Sequence, residues 1–247
     1  MSSDIVLKST SGYDIACTAS VQKGKQNVLI VHGFGSSRNG PAELLLEEKL
    51  SGAGMGYIAP DLAGHGSSTA GSESLSVRSC LDDIGAAEKY LIDSGSGRIS
   101  YFGSGFGAYL LIIYLSETAG KERKAFLRSA AINMFQYLEG LSPESDVAKD
   151  GKVHYIFKSS SGKPLVVTED FVDELDEYNP LGLYRLGCAD IMMVHGSSDE
   201  LAPVEWARRF AAVSSADLRV LEGAGHGLSE DGNPDRTADL AVEFFSD

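Results

Sequence analysis

The sequence predicts an α/β fold, a mainly parallel sheet of about eight strands with helices on both faces. Three observations predict it. Short continuous apolar runs, such as Asn27-Val-Leu-Ile-Val31 and Asp190-Ile-Met-Met-Val-His195, have the composition of strands covered on both faces. Segments with the period of an amphipathic helix alternate with them, and that alternation implies right-handed crossovers between parallel strands. Glycine-rich turns follow the carboxyl ends of the runs, where open parallel sheets bind their ligands. With 247 residues and 43% hydrophobic content the chain can bury a substantial core, so residues 1–247 are expected to form one domain.

The elements follow in order. Residues 4–8 and 13–21 alternate apolar and polar positions around Ser11-Gly12, the pattern of an antiparallel hairpin at a sheet edge. The run 27–31 then ends in His32-Gly-Phe-Gly-Ser-Ser37. A helix is expected from Ala42 to Leu50 behind Pro41, closed by Gly52, Gly54 and Gly56. Tyr57-Ile-Ala-Pro60 reads as a strand and leads into the loop Asp61-Leu-Ala-Gly-His-Gly-Ser-Ser68. Val77, Leu81, Ile84, Ala87 and Leu91 mark one face of a helix. Arg98 to Ile113 supplies a buried strand, a glycine-packed turn and an apolar helix, and Phe126 to Ile132 the next strand.

The rhythm breaks over residues 133–187, which are expected to form an inserted cap. Val153-His-Tyr-Ile-Phe157 and Leu165-Val-Val167 read as two short strands joined by the turn Ser159-Ser-Ser-Gly-Lys163, with an acidic helix from Glu169 to Tyr178 after them. Regular alternation resumes with the strand 190–195, a helix from Val204 to Val213 and a strand at 218–221. Glu222-Gly-Ala-Gly-His-Gly-Leu228 follows, and a last helix begins at Asn233 as cap with Pro234 in its first turn.

A net charge of −14 argues against nucleic acid or an anionic membrane as partner, since clustered Lys and Arg recognise both. Cys17, Cys80 and Cys188 are odd in number and lack a C-x-x-C pair, so they read as reduced thiols. No basic region followed by an apolar run opens the chain, and the expected compartment is the cytoplasm. At the level of assembly a homodimer is left open.

The turn Gly103-Ser104-Gly105-Phe106-Gly107 carries the central question. Strand, sharp turn and helix is the setting of a nucleophile elbow, G-x-S-x-G, and the window that keeps both outer glycines has glycine at its centre. A phosphate loop would need G-x-x-x-x-G-K-[ST], and no Lys follows these glycines. His226, between Gly225 and Gly227, is a candidate general base, because histidine ordinarily titrates near neutrality. Asp199, a few residues beyond a buried strand, is placed to orient it. Taken singly, His226 also reads as an ordinary loop histidine and Asp199 as a turn or N-cap residue ahead of Pro203. His32 and His65 lack metal-ligand spacing and read as side chains that hold loops in shape.

His32-Gly-Phe-Gly, Asp61-Leu-Ala-Gly-His-Gly, Gly103-Ser-Gly-Phe-Gly107, His195-Gly-Ser-Ser-Asp199 and Gly225-His226 follow one another in the order and rough spacing of the α/β-hydrolase superfamily, which the chain resembles over nearly its whole length. It looks most like the small esterases and the acylglycerol-lipase-like or serine-peptidase-like hydrolases with a cap after the sixth strand. The cap is similar to that of bacterial cinnamoyl and feruloyl esterases. The resemblance implies an α/β-hydrolase fold without a cofactor or metal, Asp199 orienting His226 as base, and Phe34 and Phe106 N–H groups forming an oxyanion hole. Gly105 occupies the nucleophile position, which departs from the family.

Four readings of that departure are open. Gly105 replaces a serine in a protein made inactive so that it holds an intact ligand; or the chain is a natural binding or sensing protein; or Ser104 acts instead; or the site runs other chemistry of the fold, though dehalogenase and epoxide-hydrolase reactions need an aspartate at the elbow. The partner expected is a small-molecule ester with a short-chain or aromatic acyl group, with an amide or peptide as competitor. Phe135, Tyr137, Tyr155, Phe157, Phe171, Tyr178 and Tyr184 are candidates to line an acyl pocket or to pack the cap onto the sheet.

Overall fold

The computed structural model describes residues 2–118, 122–147, 151–160, 162, 164–230 and 232–247. The chain runs β1 (Ser3–Lys8), β2 (Asp14–Ser20), β3 (Gln26–Val31), α1 (Pro41–Gly52), β4 (Gly56–Pro60), α2 (Val77–Asp93), β5 (Arg98–Ser104), α3 (Phe106–Glu117) and β6 (Lys124–Arg128). It continues through α4 (Met134–Gly140), β7 (Glu144–Val147), β8 (Val153–Phe157), β9 (Leu165–Thr168), α5 (Glu169–Glu177) and α6 (Pro180–Leu183). β10 (Asp190–Gly196), α7 (Val204–Ser214), β11 (Asp217–Leu221) and α8 (Asn233–Ser246) complete it.

Among the described residues eight strands form one sheet in the order β1-β2-β4-β3-β5-β6-β10-β11. β1 and β2 pair antiparallel, as does β2 with β4, and every other pair is parallel. The α/β expectation, an edge hairpin followed by parallel strands, therefore holds. β3 shows why its run is apolar throughout. Leu29 and Val31 face a core shared with Leu81 and Ile84 of α2 and most of α3, whereas Val28 and Ile30 face Leu46 and Leu50 of α1 and Phe244 and Phe245 of α8. A strand covered on both faces has no polar side to show.

Several boundaries differ from the sequence reading. β6 stops at Arg128, because Ser129 turns at φ +46° out of the strand and the chain to Ile132 belongs to the connection. The cap of α8 is Gly232, in a left-handed conformation, with Asn233 already helical. The segment between β6 and β10 holds three antiparallel strands, β7-β8-β9, rather than two. Ser161 and Lys163 of the expected Ser/Gly turn lie outside the described residues, as do residues 148–150. The acidic helix forms as α5. Five of its six carboxylates face solvent, and the sixth, Glu174, accepts a hydrogen bond from the Val77 N–H at the start of α2 at 2.8 Å. Negative charge at a helix N-terminus is favourable there.

Cys17 and Cys80 lie in the core and Cys188 is half-buried. None of the helices among the described residues is long and apolar enough to cross a membrane.

One buried carboxylate makes a stability prediction. Asp83 of α2 accepts from the Tyr13 hydroxyl at 2.7 Å and from the Ala63 N–H at 2.8 Å, and burial pushes its carboxyl up to about 7. Between pH of about 4, where an unfolded aspartate titrates, and pH of about 7 the unfolded chain releases a proton that the folded chain keeps, so this residue lowers stability as pH rises. Asp83→Asn accepts from the Ala63 N–H with its oxygen and donates its NH₂ to the Tyr13 hydroxyl oxygen, without the charge. Its urea midpoint should exceed that of the parent at pH 8 and converge on it towards pH 4; an equal gain at both would refute the assignment.

Candidate active site

The carboxyl ends of the parallel strands are in register at one edge of the sheet. Val31 stands beside Gly103, Ser104 beside Arg128, Arg128 beside Val194, and Gly196 beside Leu221. The loops that leave these ends carry Phe34, Gly105, Asp199 and His226. Residues from four corners of the sequence meet for this topological reason.

The turn at 105 is built by close approach of backbone. Gly107, in the first turn of α3, lies against β3, and a Cβ there would overlap the Val31 carbonyl oxygen; a Cβ at Gly103 would lie 2.6 Å from the Ala108 nitrogen. Gly105 is a different case. Its φ of +53° and ψ of −109° are strained for any L residue, yet the space beside it is open. A Cβ at 105 would find His226 Nε2 at 3.4 Å, His226 Cε1 at 3.8 Å and Gly33 Cα at 4.0 Å, all ordinary contacts. Three hydrogen bonds fix the conformation: the Gly105 N–H donates to Arg128 O at 2.9 Å, and its carbonyl accepts from the N–H groups of Tyr109 and Ala131, each at 3.2 Å. Gly107→Ala is accordingly expected to lose about 3 kcal/mol or more through overpacking, and Gly105→Ala only about 1–2 kcal/mol through its φ. Urea denaturation of the two variants checks this, and equal losses would refute it.

Asp199 and His226 come together as their spacing suggested. The Ser197 and Ser198 N–H groups donate to Leu221 O and Ala224 O, each at 2.9 Å, and the Gly223 N–H donates to Ser197 Oγ at 2.8 Å, so the two loops are stitched side by side. His226 Nδ1 lies 2.8 Å from Asp199 Oδ2. A carboxylate only accepts, so Nδ1 carries the proton and leaves a lone pair on Nε2, the atom that faces position 105.

Two neighbours of this pair went unread in the sequence. His195 Nε2 lies 2.7 Å from Ala202 O and 3.1 Å from Asp199 Oδ2, with both side chains wholly buried. Both partners are acceptors, so Nε2 carries the proton, directed at Ala202 O and shared with the more distant Asp199 carboxylate. Asp199 Oδ1 accepts from the N–H groups of Leu201 and Ala202 at 3.0 and 2.8 Å. Burial works to raise this carboxyl, but the hydrogen bonds from His195, His226 and the backbone outweigh it and hold it well below the usual carboxylate range. The other neighbour is the turn after β6. Ser129 Oγ donates to His226 O at 2.8 Å, and Arg128 bridges Ser104 Oγ, at 2.9 Å, and Gly227 O. The Ser104 hydroxyl is thus held by a guanidinium, and among the described residues no hydrogen bond joins it to His226; the geometry favours position 105 over Ser104 as the reacting position.

The loop after β3 brings Phe34 to the elbow. Its ring meets Phe106 edge-on with centroids 5.7 Å apart, and two rings of the insertion cover both: Phe157 at 5.0 Å and Phe171 at 6.5 Å from Phe34. The insertion is tied down where the Ser160 N–H donates to Gly35 O at 2.7 Å. Among the described residues neither the Phe34 nor the Phe106 N–H makes a hydrogen bond within the protein. His32 accepts from the Leu62 N–H at 3.2 Å and His65 Nδ1 lies 2.9 Å from Ala63 O, so both rings hold loops as expected; Asp61 accepts from the N–H groups of Arg38 and Ser67 and pairs with the Arg38 guanidinium. Buried beside His32, His65 is pushed down to about 3 by desolvation, then by the repulsion that protonating both rings would create, so it stays neutral.

The seven aromatic candidates divide. Phe135, Tyr155 and Phe157 border an apolar cavity of 140 Å³ completed by Leu138, Glu139, Pro143 and Val172. Tyr137 packs on His226, with centroids 5.2 Å apart, and Phe171 packs on the elbow. Tyr178 lies against Arg78 and Tyr184 against Phe210.

A family model described as "Alpha/beta hydrolase family" matches residues 28–240. No curated protein matches the sequence. Among solved structures the chain is similar to a putative hydrolase from Agrobacterium vitis S4, with a TM-score of 0.79 and 14% identity over 99% of this chain and 98% of that one. It is similar to Est1E from Butyrivibrio proteoclasticus with ferulic acid bound, with a TM-score of 0.78 and 15% identity over 98% of this chain and 100% of that one. The esterase Pf2001 of Pyrococcus furiosus gives a TM-score of 0.73 and 21% identity over 100% of this chain and 92% of that one. At these identities the likeness is one of fold.

Proposed function

The chain belongs to the alpha/beta hydrolase family, and we propose that its site is that of a carboxylic ester hydrolase of the serine type whose nucleophile position is held by glycine, so that this chain is catalytically impaired. One observation carries the reading: a side chain at 105 would stand in contact with His226 Nε2, at 3.4 Å from its Cβ, and glycine leaves that contact unmade. With serine at 105, Oγ attacks the ester carbonyl, His226 Nε2 takes its proton and returns it to the leaving alcohol, Asp199 holds the imidazole, and the Phe34 and Phe106 N–H groups stabilise the oxyanion.

The acyl group is short-chain or aromatic, a preference supported by the small apolar cavity beside Phe157 and by the aromatic cover of the elbow. A cytoplasmic setting accords with free thiols at Cys17, Cys80 and Cys188. The test is Gly105→Ser assayed beside the parent on a panel of p-nitrophenyl esters of graded acyl length. Turnover gained by the variant supports the reading; no gain, together with tight binding of a small molecule by the parent, would replace it with a ligand-holding protein.

A further inference from the structure

Resting on the ester-hydrolase reading of the site, we propose that the chain as it stands transfers the acyl group of an ester directly to a small oxygen nucleophile from solvent, water or methanol, which His226 activates beside Gly105. No acyl-enzyme forms. The argument begins with what glycine leaves in place. His226 Nε2 is free of any hydrogen-bond partner among the described residues, its ring is 21% exposed, and the Asp199 carboxylate fixes its tautomer with the lone pair towards position 105. The space there is bounded by Gly33 Cα and the imidazole edge at ordinary contact distances from where a Cβ would stand. An oxygen hydrogen-bonded to Nε2 at about 2.8 Å fits it, because hydrogen is the only substituent on Gly105 Cα.

In the reaction the nucleophile oxygen bonds to the ester carbonyl carbon as His226 Nε2 accepts its proton. The carbonyl oxygen takes the negative charge opposite the Phe34 and Phe106 N–H groups. The tetrahedral species then expels the alkoxide, to which His226 returns the proton, leaving a carboxylic acid when the nucleophile is water and a methyl ester when it is methanol. An untethered oxygen cannot approach Gly105 Cα as closely as a bonded Oγ, so it sits nearer the imidazole and brings none of the effective molarity of a fixed side chain. The reaction is therefore slow beside that of a serine enzyme.

The test uses the purified full chain with p-nitrophenyl butyrate, following p-nitrophenol release and the products with and without methanol, for the parent, His226→Gln and Gly105→Ser. The parent should release p-nitrophenol without a burst, about 10²- to 10⁴-fold faster than His226→Gln, the range general-base catalysis supplies. Methanol should give methyl butyrate in proportion to its concentration, and the intact mass of the parent should stay unmodified. Turnover by Gly105→Ser with a parent no faster than His226→Gln would overturn this inference and leave the esterase reading standing. An acyl adduct on the parent would overturn it as well. Inactivity of all three proteins would overturn both. Should His226→Gln fold poorly, methyl ester formation and its methanol dependence in the parent still decide the matter.

Discussion

Gly105→Ser is expected to raise ester turnover about 10²- to 10⁴-fold over the parent, since removal of a nucleophile from such a unit costs on the order of 10⁶-fold and general-base catalysis by His226 recovers about 10²- to 10⁴-fold of it. The reason lies in how little else the elbow needs. A Cβ at 105 meets nothing closer than 3.4 Å, and its nearest neighbour is the imidazole nitrogen a serine must reach. The backbone already has the conformation, locked by bonds to Arg128, Tyr109 and Ala131, so the variant does not have to remodel the turn. It does have to bear the strain. A serine at φ +53° costs about 1–3 kcal/mol relative to glycine, so the same substitution should lower the urea midpoint while creating activity. A burst of p-nitrophenol and a mass increase of one acyl group, read by stopped flow and intact mass, would accompany the gain. A stable variant with unchanged turnover would mean that Phe34, Phe106 and His226 do not converge on an ester carbonyl.

The opposition of strain and function explains which parts of the site were legible in the sequence. Asp199 follows β10, a mostly buried apolar strand that announces itself, and His226 follows the edge strand β11, where Asp217 and Arg219 alternate with Leu218 and Val220. Once β10 and β11 are placed, the topology decides that the loops after them are neighbours. Gly105 was legible as an anomaly because Gly103 and Gly107 on either side are demanded by backbone contacts with α3 and β3. The insertion was harder to read. β7 has the sequence Glu144-Ser-Asp-Val147, every side chain of it exposed, so no alternation of apolar and polar residues marks it; pairing with β8 alone makes it a strand. Arg128 and Ser129 were invisible for a related reason. They act through the carbonyls of Gly227 and His226, 99 and 97 residues away, and a backbone acceptor leaves no signature in composition or spacing.

His195 is the subtlest omission, and it bears on the second large effect, that of Asp199→Asn in the serine-restored chain. The carboxylate takes four donors: imidazole N–H groups from His195 and His226 on Oδ2, backbone N–H groups from Leu201 and Ala202 on Oδ1. An amide offers one oxygen for these four donors, and its NH₂ must oppose either two backbone N–H groups or two imidazoles. The backbone cannot change its proton, whereas an imidazole can. The stable arrangement keeps the amide oxygen on Leu201 and Ala202 and turns its NH₂ towards the rings, so His226 becomes an acceptor at Nδ1 and carries its proton on Nε2. In that tautomer Nε2 cannot accept the proton of a serine hydroxyl. The expected loss in kcat is about 10⁴-fold, with KM little changed, as for other active sites whose acid is replaced by its amide. Nitrogen-15 shifts of the His226 ring should report Nδ1–H in the parent and Nε2–H in the Asn variant. A Gly105→Ser, Asp199→Asn chain that keeps more than a tenth of the activity, with His226 still protonated at Nδ1, would show that the ring takes its orientation from elsewhere, and the Ser129 bond to the His226 carbonyl would be the next contact to remove.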